Sequence, residues 1–333
     1  MAPELIQLEL QVQGTRGYRK FFWRDYQPWL LERGYRLRKC YQPGWVASRK
    51  TRGRKYTAED SARPLYGKIM DAVRISDGIL DALKRSDPVE YPHEVEIAQL
   101  FSSEALTAGP RNHCWPDLND AIILVMPLLY PLKCPVLETL GEVVESFWQI
   151  FEGVQFIYEN NIAYRDCKYD SFLVIHKRYM AELTGSPTRY LMRNEGLSGT
   201  FTAVKYYIID FNLSFRYEDS GPHLEKSRLG RYKTVPSNSI RENFTEVGPD
   251  QKRFSFMESL VNVMYQDDPK ARPIMVEVVA RFERIRLGLS ERKLRSRIAR
   301  MEHNFVPGAF RFIFHWGRQV VPICRRTPAI PTR

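Results

Sequence analysis

Apolar residues in the first half of the chain follow patterns typical of strands. Alternating runs at Ile69–Ile75 and Ile79–Lys84 are separated by Ser76-Asp77-Gly78. Because Asp-Gly between alternating runs is a strong turn signal, this stretch is predicted to be a β-hairpin. The continuous apolar run at 121–129 predicts a buried strand, and the sequence at 93–102 has helical spacing.

The second half of the chain is mainly helical in pattern. Leu140–Tyr158 carries apolar residues three and four positions apart, which predicts a long helix. Short strands and a further helical stretch are predicted at 162–163, 172–175, 206–209 and 254–286. This order predicts an α+β fold, with a β-rich first part followed by a largely helical part.

The charge is unevenly distributed along the 333 residues, whose net charge is +11. Residues 15–56 carry +11 and residues 281–333 carry +10, so residues 57–280 are acidic at −8. The basic flanks are either solvated or paired with the acidic middle, or they contact an acidic partner such as nucleic acid or an anionic surface. Zinc-finger spacing, an RNP motif and a basic heptad helix are all missing from the sequence, which disfavours nucleic acid.

Several classes of protein are disfavoured by composition. The longest apolar run, 121–132, is too short to span a bilayer, and the N-terminus lacks the pattern of a secretory signal. The five cysteines are odd in number and have no CxxC spacing, which disfavours a disulfide framework or a structural zinc site. We expect a soluble intracellular protein, cytoplasmic or nuclear, without a membrane span.

Three separated pieces of sequence carry candidate chemistry. Lys84 ends a predicted strand, the polar segment 164–171 (YRDCKYDS) follows the long helix, and Asp210-Phe211-Asn212 follows another strand. Each piece alone is common, but their order and spacing resemble the protein-kinase family. Four segments of the sequence are similar more specifically to the kinase-like proteins of fungi. These segments are FFWRDYQPWLLERGYRLRKCYQPGW, PRNHCWP, QIFEGVQFIYENNIAYRDC and QDDPKARP.

The resemblance implies a two-lobed kinase-like fold that binds ATP and Mg²⁺ and transfers phosphate to protein Ser/Thr hydroxyls. Lys84 would hold the α- and β-phosphates and pair with a helix glutamate, Glu94 or else Glu96. The segment from Met126 to Leu129 would contact adenine, with Met126 and Leu128 as the binding residues.

The resemblance also assigns the catalytic loop and the metal ligands. Asp166 would accept the proton of the substrate hydroxyl, with Lys168 near the γ-phosphate and Arg165 beside it in the same loop. Asp210 would bind Mg²⁺, and Ser171 stands where the family has a metal-binding Asn. A hydroxyl is a poorer metal ligand than an amide carbonyl, so metal binding should be weakened.

Other departures bear on activity. Asn212 replaces a glycine, and Asn is the residue that best tolerates positive φ after glycine. No glycine-rich loop is found between Arg36 and Ile69, where the basic stretch 49–55 lies instead. Ser237 replaces the glutamate that follows the Thr234–Pro236 segment in the family.

Compared with the family, a central C-lobe helix is predicted to be deleted near residues 237–245. Arg272, which resembles the family's partner of the missing glutamate, should then be partly exposed or paired with another acid. Phe151, Val154 and Ile157 should be poorly covered, giving a marginally stable protein.

The sequence is therefore divided into four parts. These are a basic aromatic extension (1–56), an N-lobe (57–130), a truncated C-lobe (131–286) and a basic tail (287–333).

The first hypothesis for the function is a protein kinase of impaired activity. The alternative is an inactive pseudokinase that binds a protein partner through its basic aromatic flanks, and a third option is an anion or nucleic-acid binder.

Overall fold

The computed structural model describes residues 22–42, 68–103, 113–116, 122–131, 137–167, 171–176, 204–217, 254–298 and 305–330. These residues divide into two compact units, the first ending at Leu129 and the second beginning at Tyr130. Strands and helices are mixed in the chain, which confirms the α+β prediction. The narrower kinase-like assignment and the four-part division stay predictions.

In its described residues, the first unit contains one sheet and two α-helices. Its elements are a helix α1 over residues 22–32, β1 (Tyr35–Leu37), β2 (Ile69–Arg74), β3 (Leu80–Ser86), α2 (Pro92–Leu100), β4 (His113–Pro116) and β5 (Ile122–Pro127). The strand order is β1-β2-β3-β5-β4, and every neighbouring pair is antiparallel. The predicted hairpin is present as β2 and β3, with Gly78 at φ 74° in the turn. β3 lies at the centre of the sheet.

Helix α1 covers one face of this sheet with aromatic side chains. The buried cluster that it forms with β1, β2, β3 and β5 includes Trp23, Tyr26, Trp29, Leu30, Leu37, Met70, Leu83 and Val125. The side chain of Gln27 accepts a hydrogen bond from the Leu37 amide at 3.0 Å, which ties the helix to β1. Residues 22–42 are thus part of the core of the first unit.

The core of the second unit is built around the helix over Leu140–Glu159. Its elements are β6 (Tyr130–Pro131), α3 (Leu140–Glu159), β7 (Ile162–Ala163), β8 (Phe172–His176), β9 (Val204–Ile208), β10 (Phe215–Arg216), α4 (Ser255–Met264), α5 (Met275–Leu287), α6 (Glu291–Leu294) and α7 (Phe305–Cys324). β6, β8 and β9 form a three-stranded sheet, and β10 pairs with β7. Thr139 and Glu142 form a capping box that begins α3.

The apolar stripe of α3 is well covered, so the prediction that Phe151, Val154 and Ile157 would be under-covered is wrong. All three side chains are buried. Helix α5 supplies part of the cover, because the rings of Phe151 and Phe282 meet edge to face with centroids 5.2 Å apart. The prediction failed because it considered only the helix that the family resemblance implies, and not the cover that α5 provides.

Residues beyond 287 also pack on α3. Leu294 belongs to the same core, and Thr139 forms a β-bridge with Arg297. A Cβ on Gly141 would lie 2.0 Å from the Ala329 carbonyl oxygen, so only glycine permits this approach of the C-terminal segment. The described part of the predicted basic tail is thus integrated into the second unit.

Other sequence predictions have different outcomes. Arg272 is partly exposed, as predicted, and donates from Nε to the Gln266 carbonyl at 2.7 Å. The stretch 49–55, Lys168 and the segment 234–245 lie outside the described residues. Among the helices that are described, none has the length and apolar character needed to cross a membrane.

Candidate functional site

In the first unit, Lys84 of β3 forms an ion pair with Glu94 of α2. The ammonium Nζ contacts Glu94 Oε1, and both side chains are largely buried. Glu96, the fallback partner, is instead near His93, with Nδ1 and Oε2 3.7 Å apart. Helical spacing explains the difference, because Glu94 shares the buried face of α2 with Ile97.

Ser86 completes this polar group and was missed by the sequence reasoning. Its hydroxyl donates to Glu94 Oε2 at 2.6 Å, so Glu94 is held through both carboxylate oxygens. Ser86 lies two positions after Lys84 on β3, and side chains two apart point to the same face of a strand. That periodicity was the signal that could have identified it.

The sheet face that carries Lys84 also carries an apolar cluster. Leu80 and Ala82 of β3 pack with Leu128, which follows β5, and Met126 of β5 lies against them. Met126 is paired across the strands with Ala82. Met126 and Leu128 are therefore together in the first unit, as the adenine-contact prediction requires, and an apolar surface of this kind can contact the face of a purine ring.

A second buried ion pair lies in the same sheet and was not anticipated. Arg38 Nη2 is 2.8 Å from Asp71 Oδ1, and both side chains are buried. Tyr41 lies nearby, with the Arg38 guanidinium 5.9 Å from its ring centroid. Burial raises the pKa of the Tyr41 phenol to about 12.

In the second unit, Asp166 lies in the loop between β7 and β8. Its carboxylate is buried, and the Ser171 hydroxyl donates to Asp166 Oδ2 at 3.4 Å. Arg165, immediately before it, has a left-handed backbone with φ 63°. The Arg165 guanidinium lies over the Phe215 ring, 5.4 Å from the centroid. Left-handed backbone at a residue other than glycine is strained and is often found at functional sites.

Tyr164 ties the Asp166 loop to the segment that follows β9. Its phenol donates to the Ile209 carbonyl, and its ring meets Phe211 edge to face with centroids 5.6 Å apart. The Ser214 hydroxyl donates to the Tyr164 carbonyl at 2.8 Å. Burial is the main cause that raises the pKa of the Tyr164 phenol, and the nearby Cys167, Asp166 and Asp210 groups add to the shift. The phenol therefore remains a hydrogen-bond donor across the physiological range.

Asp210 follows β9 and, like Arg165, has a left-handed backbone, with φ 66°. The positive φ expected at Asn212 is not observed, because Asn212 lies in the short 3-10 helix Phe211–Leu213. The Ile209 amide donates to the Ser171 carbonyl at 3.0 Å, so the start of β8 and the residue before Asp210 are neighbours. The structure thus brings Asp166, Ser171 and the Asp210 segment together.

Cys167 lies next to Asp166 but is unsuited to nucleophilic chemistry. Burial raises the pKa of its thiol to about 12, and the Asp166 carboxylate adds to the shift. A thiol with such a pKa has almost no thiolate at neutral pH. The loop therefore offers a carboxylate, not a thiolate, as its reactive group.

The donor set suits one magnesium ion better than two. No group of three or more His, Cys, Asp or Glu that could hold a metal occurs within the described ranges. Magnesium in nucleotide sites often uses only one or two carboxylates, with phosphates and water as its other ligands. Asp210 could serve in this way, whereas the Ser171 hydroxyl is directed to Asp166.

Comparisons with known proteins do not extend this picture. No protein-family model matches the chain, and no match is found among curated proteins. The assignment of a function therefore depends on the residues and their contacts.

Proposed function

We propose that the chain is a protein kinase of reduced activity, which transfers the γ-phosphoryl group of ATP to Ser/Thr hydroxyls of a protein substrate. The observation that carries the proposal is the buried Lys84–Glu94 ion pair. A lysine held by a carboxylate at the centre of a sheet, beside an apolar surface, is the arrangement with which protein kinases bind the phosphates of ATP.

Each residue has a separate role in this proposal. Lys84 binds the α- and β-phosphates, and Glu94 orients the ammonium group. Met126 and Leu128 contact adenine. Asp166 accepts the proton as the substrate oxygen bonds to phosphorus and the bond to the leaving diphosphate breaks. Asp210 holds Mg²⁺, which neutralises phosphate charge, and Arg165 and Lys168 are assigned to the same loop.

Nucleotide binding is tested by the melting temperature of the full chain with Mg²⁺-ATP, and with ATP in EDTA. At about 100 times the dissociation constant, ligand stabilises a protein by about 2.7 kcal/mol, so a metal-dependent rise of several degrees is expected. The double variant Lys84→Met/Glu94→Gln should lose the rise. It removes both charges, while the amide that replaces the Glu94 carboxylate can still accept from Ser86, so its fold should be retained.

The chain provides a matched control for this experiment. Lys68 and Glu90 form an exposed ion pair, with Nζ and Oε2 3.1 Å apart. Lys68→Met/Glu90→Gln should keep the ATP-dependent rise. An identical response of both double variants, or no rise in a folded wild-type chain, contradicts the proposed nucleotide site.

The alternative is a catalytically inactive scaffold, and one observation favours it. The Ser171 hydroxyl is directed to Asp166, which leaves the second metal position without the amide that the family uses. A scaffold would bind its protein partner equally well after Asp166→Asn. The N-terminal flank aromatics Trp23, Tyr26 and Trp29 are buried, so such a scaffold would use the C-terminal flank, where Phe314 is exposed.

A further inference from the structure

Over residues 314–324, helix α7 buries His315, Gln319 and Pro322 and exposes several apolar side chains. His315 and Gln319 are only 6% and 2% exposed, whereas Phe314 and Val321 are 71% and 50% exposed. A helix at a protein surface ordinarily buries its apolar stripe and exposes its polar face. Over residues 314–324, the orientation of α7 is therefore largely the reverse of the usual one.

Specific contacts hold the polar side of α7 in place. His315 Nε2 lies 2.9 Å from the Arg295 carbonyl oxygen. Gln319 lines a small cavity together with Thr139 and Arg295. Arg318 Nη1 is 3.3 Å from Glu138 Oε2. Rotating the helix to bury its apolar side would break all of these contacts.

The exposed side of α7 is a continuous apolar strip, which we call the α7 face. Its members are Phe314, Gly317, Val320, Val321, Ile323 and Cys324. At 3.6 residues per turn these positions cover about half of the circumference and a length of about 16 Å. No charged residue lies inside the strip. Only a surface that the helix can enter to about half of its depth could therefore contact the whole strip at once.

The charge of the surrounding sequence indicates what such a surface would be. Residues 305–330 contain four arginines and neither Asp nor Glu, and Arg325 and Arg326 are exposed at the end of the helix. Apolar side chains combined with arginines are typical of helices that lie in the interface of an anionic membrane. A second copy of the chain would bring more arginines to the same place, without any acid on the helix to pair with them.

We propose that the α7 face binds the surface of a bilayer that contains anionic phospholipids. Phe314, Val320 and Val321 enter the boundary between headgroups and acyl chains, and Arg325 and Arg326 contact the anionic headgroups. The helix lies on the membrane without crossing it. This inference uses none of the residues of the proposed kinase site, so either can be wrong without the other.

Vesicle flotation of the full chain tests the apolar part of the proposal. The wild-type chain should float with vesicles of phosphatidylcholine and phosphatidylserine. Val321→Glu should lower the partition coefficient by about tenfold or more, since the exposed half of the valine contributes a factor of about four and the introduced charge opposes insertion. The matched control is Val276→Glu on α5, at a valine that is 52% exposed. Equal flotation of the two variants overturns the proposal.

The electrostatic part is tested on the same vesicles. Each arginine near an anionic surface raises the membrane binding constant by a factor of about five. The double variant Arg325→Gln/Arg326→Gln should therefore lower that constant by about 25-fold. The control Arg284→Gln/Arg292→Gln removes two exposed arginines from the same unit and should have a smaller effect. A wild-type chain that binds pure phosphatidylcholine equally well contradicts the role of anionic lipid.

Cys324 provides a readout that needs no variant. It is a free, exposed cysteine in the α7 face. Maleimide labelling of Cys324, located by peptide mass spectrometry, should be fast in solution and slow with anionic vesicles. Protection of Cys324 without vesicles means that protein already covers the α7 face.

Sedimentation velocity tests whether a second copy covers the face. If the lipid-free chain is a dimer and Val321→Glu dissociates it, the face belongs to a second copy. Either result overturns the proposal.

Discussion

The two units hold their candidate site residues by different physical means. In the first unit, Lys84 and Glu94 lie on a regular strand and helix and are fixed by charge and burial. In the second, Asp166 and Asp210 belong to irregular segments, with left-handed backbone at Arg165 and Asp210. Those segments are fixed by hydrogen bonds that join residues about 45 positions apart.

Because the two sets of residues are held differently, substitutions in the two units should have different effects. Removing one partner of the buried ion pair leaves a charge without its counterpart and should destabilise the first unit. Replacing Asp166 by a residue of the same shape should leave the loop of the second unit in place, because the hydrogen bonds of Tyr164 and Ser214 hold it. Substitutions at the ion pair of the first unit should therefore lower stability, whereas substitution of Asp166 in the second unit should lower activity.

The largest expected effect is that of Asp166→Asn on phosphoryl transfer. Loss of a general base lowers the rate by about 10²- to 10⁴-fold, and the asparagine can still accept the Ser171 hydrogen bond. Transfer of labelled phosphate to a mixed Ser/Thr peptide library measures the rate. Asp267→Asn, at an exposed aspartate of the same unit, should leave it unchanged. Equal activity of the wild type and Asp166→Asn means that Asp166 is not the base.

The next effect is on the stability of the first unit. Lys84→Ala leaves buried Glu94 without the ammonium and should cost about 3–5 kcal/mol. Hydrogen exchange of the β3 amides, followed by mass spectrometry, reports this local stability. Lys68→Ala breaks only an exposed pair and should change exchange little. Comparable losses in the two variants would show that burial does not determine the strength of the Lys84–Glu94 pair.

A smaller effect is expected at alkaline pH. The fold favours the neutral form of Tyr41 because burial raises its pKa from 10.0 to about 12. A raised pKa contributes stability that is complete below the unfolded pKa and is lost as the pH rises through the folded pKa. A shift of about two units corresponds to about 2–3 kcal/mol, lost between about pH 10 and 12.

Tyr41→Phe should remove this part of the alkaline loss, measured by hydrogen exchange of the β2 amides. Burial also raises the pKa of Tyr35, so some pH dependence should remain in this variant. Tyr91→Phe, at a partly exposed residue of the same unit, should keep the wild-type profile. If Tyr41→Phe also keeps it, ionisation of Tyr41 does not limit the alkaline stability of the first unit.

The smallest effect compares two tyrosines of the second unit. Tyr164→Phe and Tyr217→Phe each remove a phenol that donates to a backbone carbonyl, of Ile209 and Tyr158 respectively. Each should cost about 1 kcal/mol in urea denaturation. Only Tyr164→Phe should also slow phosphoryl transfer, because Tyr164 joins the Asp166 loop to the Asp210 segment. Equal rates in the two variants would remove Tyr164 from the positioning of the site.

Local sequence patterns predicted the elements better than their contacts. The β2–β3 hairpin and α3 were readable because turn residues and apolar spacing act within a few positions. The choice of Glu94 over Glu96 also followed from helical periodicity. The cover of α3 by Phe282 was missed, because it joins residues about 130 positions apart and no local pattern encodes such a contact.

Orientation was the other property that the sequence could not provide. Helix α7 was not predicted from the sequence, and its apolar spacing does not show which side packs on the protein. His315 and Gln319 decide this through contacts near Arg295 that depend on the folded second unit. Likewise, residue preferences alone did not predict that the positive φ lies at Asp210 instead of Asn212.

The cover that α1 provides for the sheet has a consequence for biosynthesis. The ribosome makes Trp23, Trp29 and Leu30 well before β5, the last strand that their cluster contacts. At ordinary translation rates the roughly 95 intervening residues take on the order of ten seconds. During that interval the nascent helix has no sheet to pack on, and its aromatic side chains are open to chaperones. Slower translation of residues 33–127 should lengthen the time during which chaperones can bind these side chains.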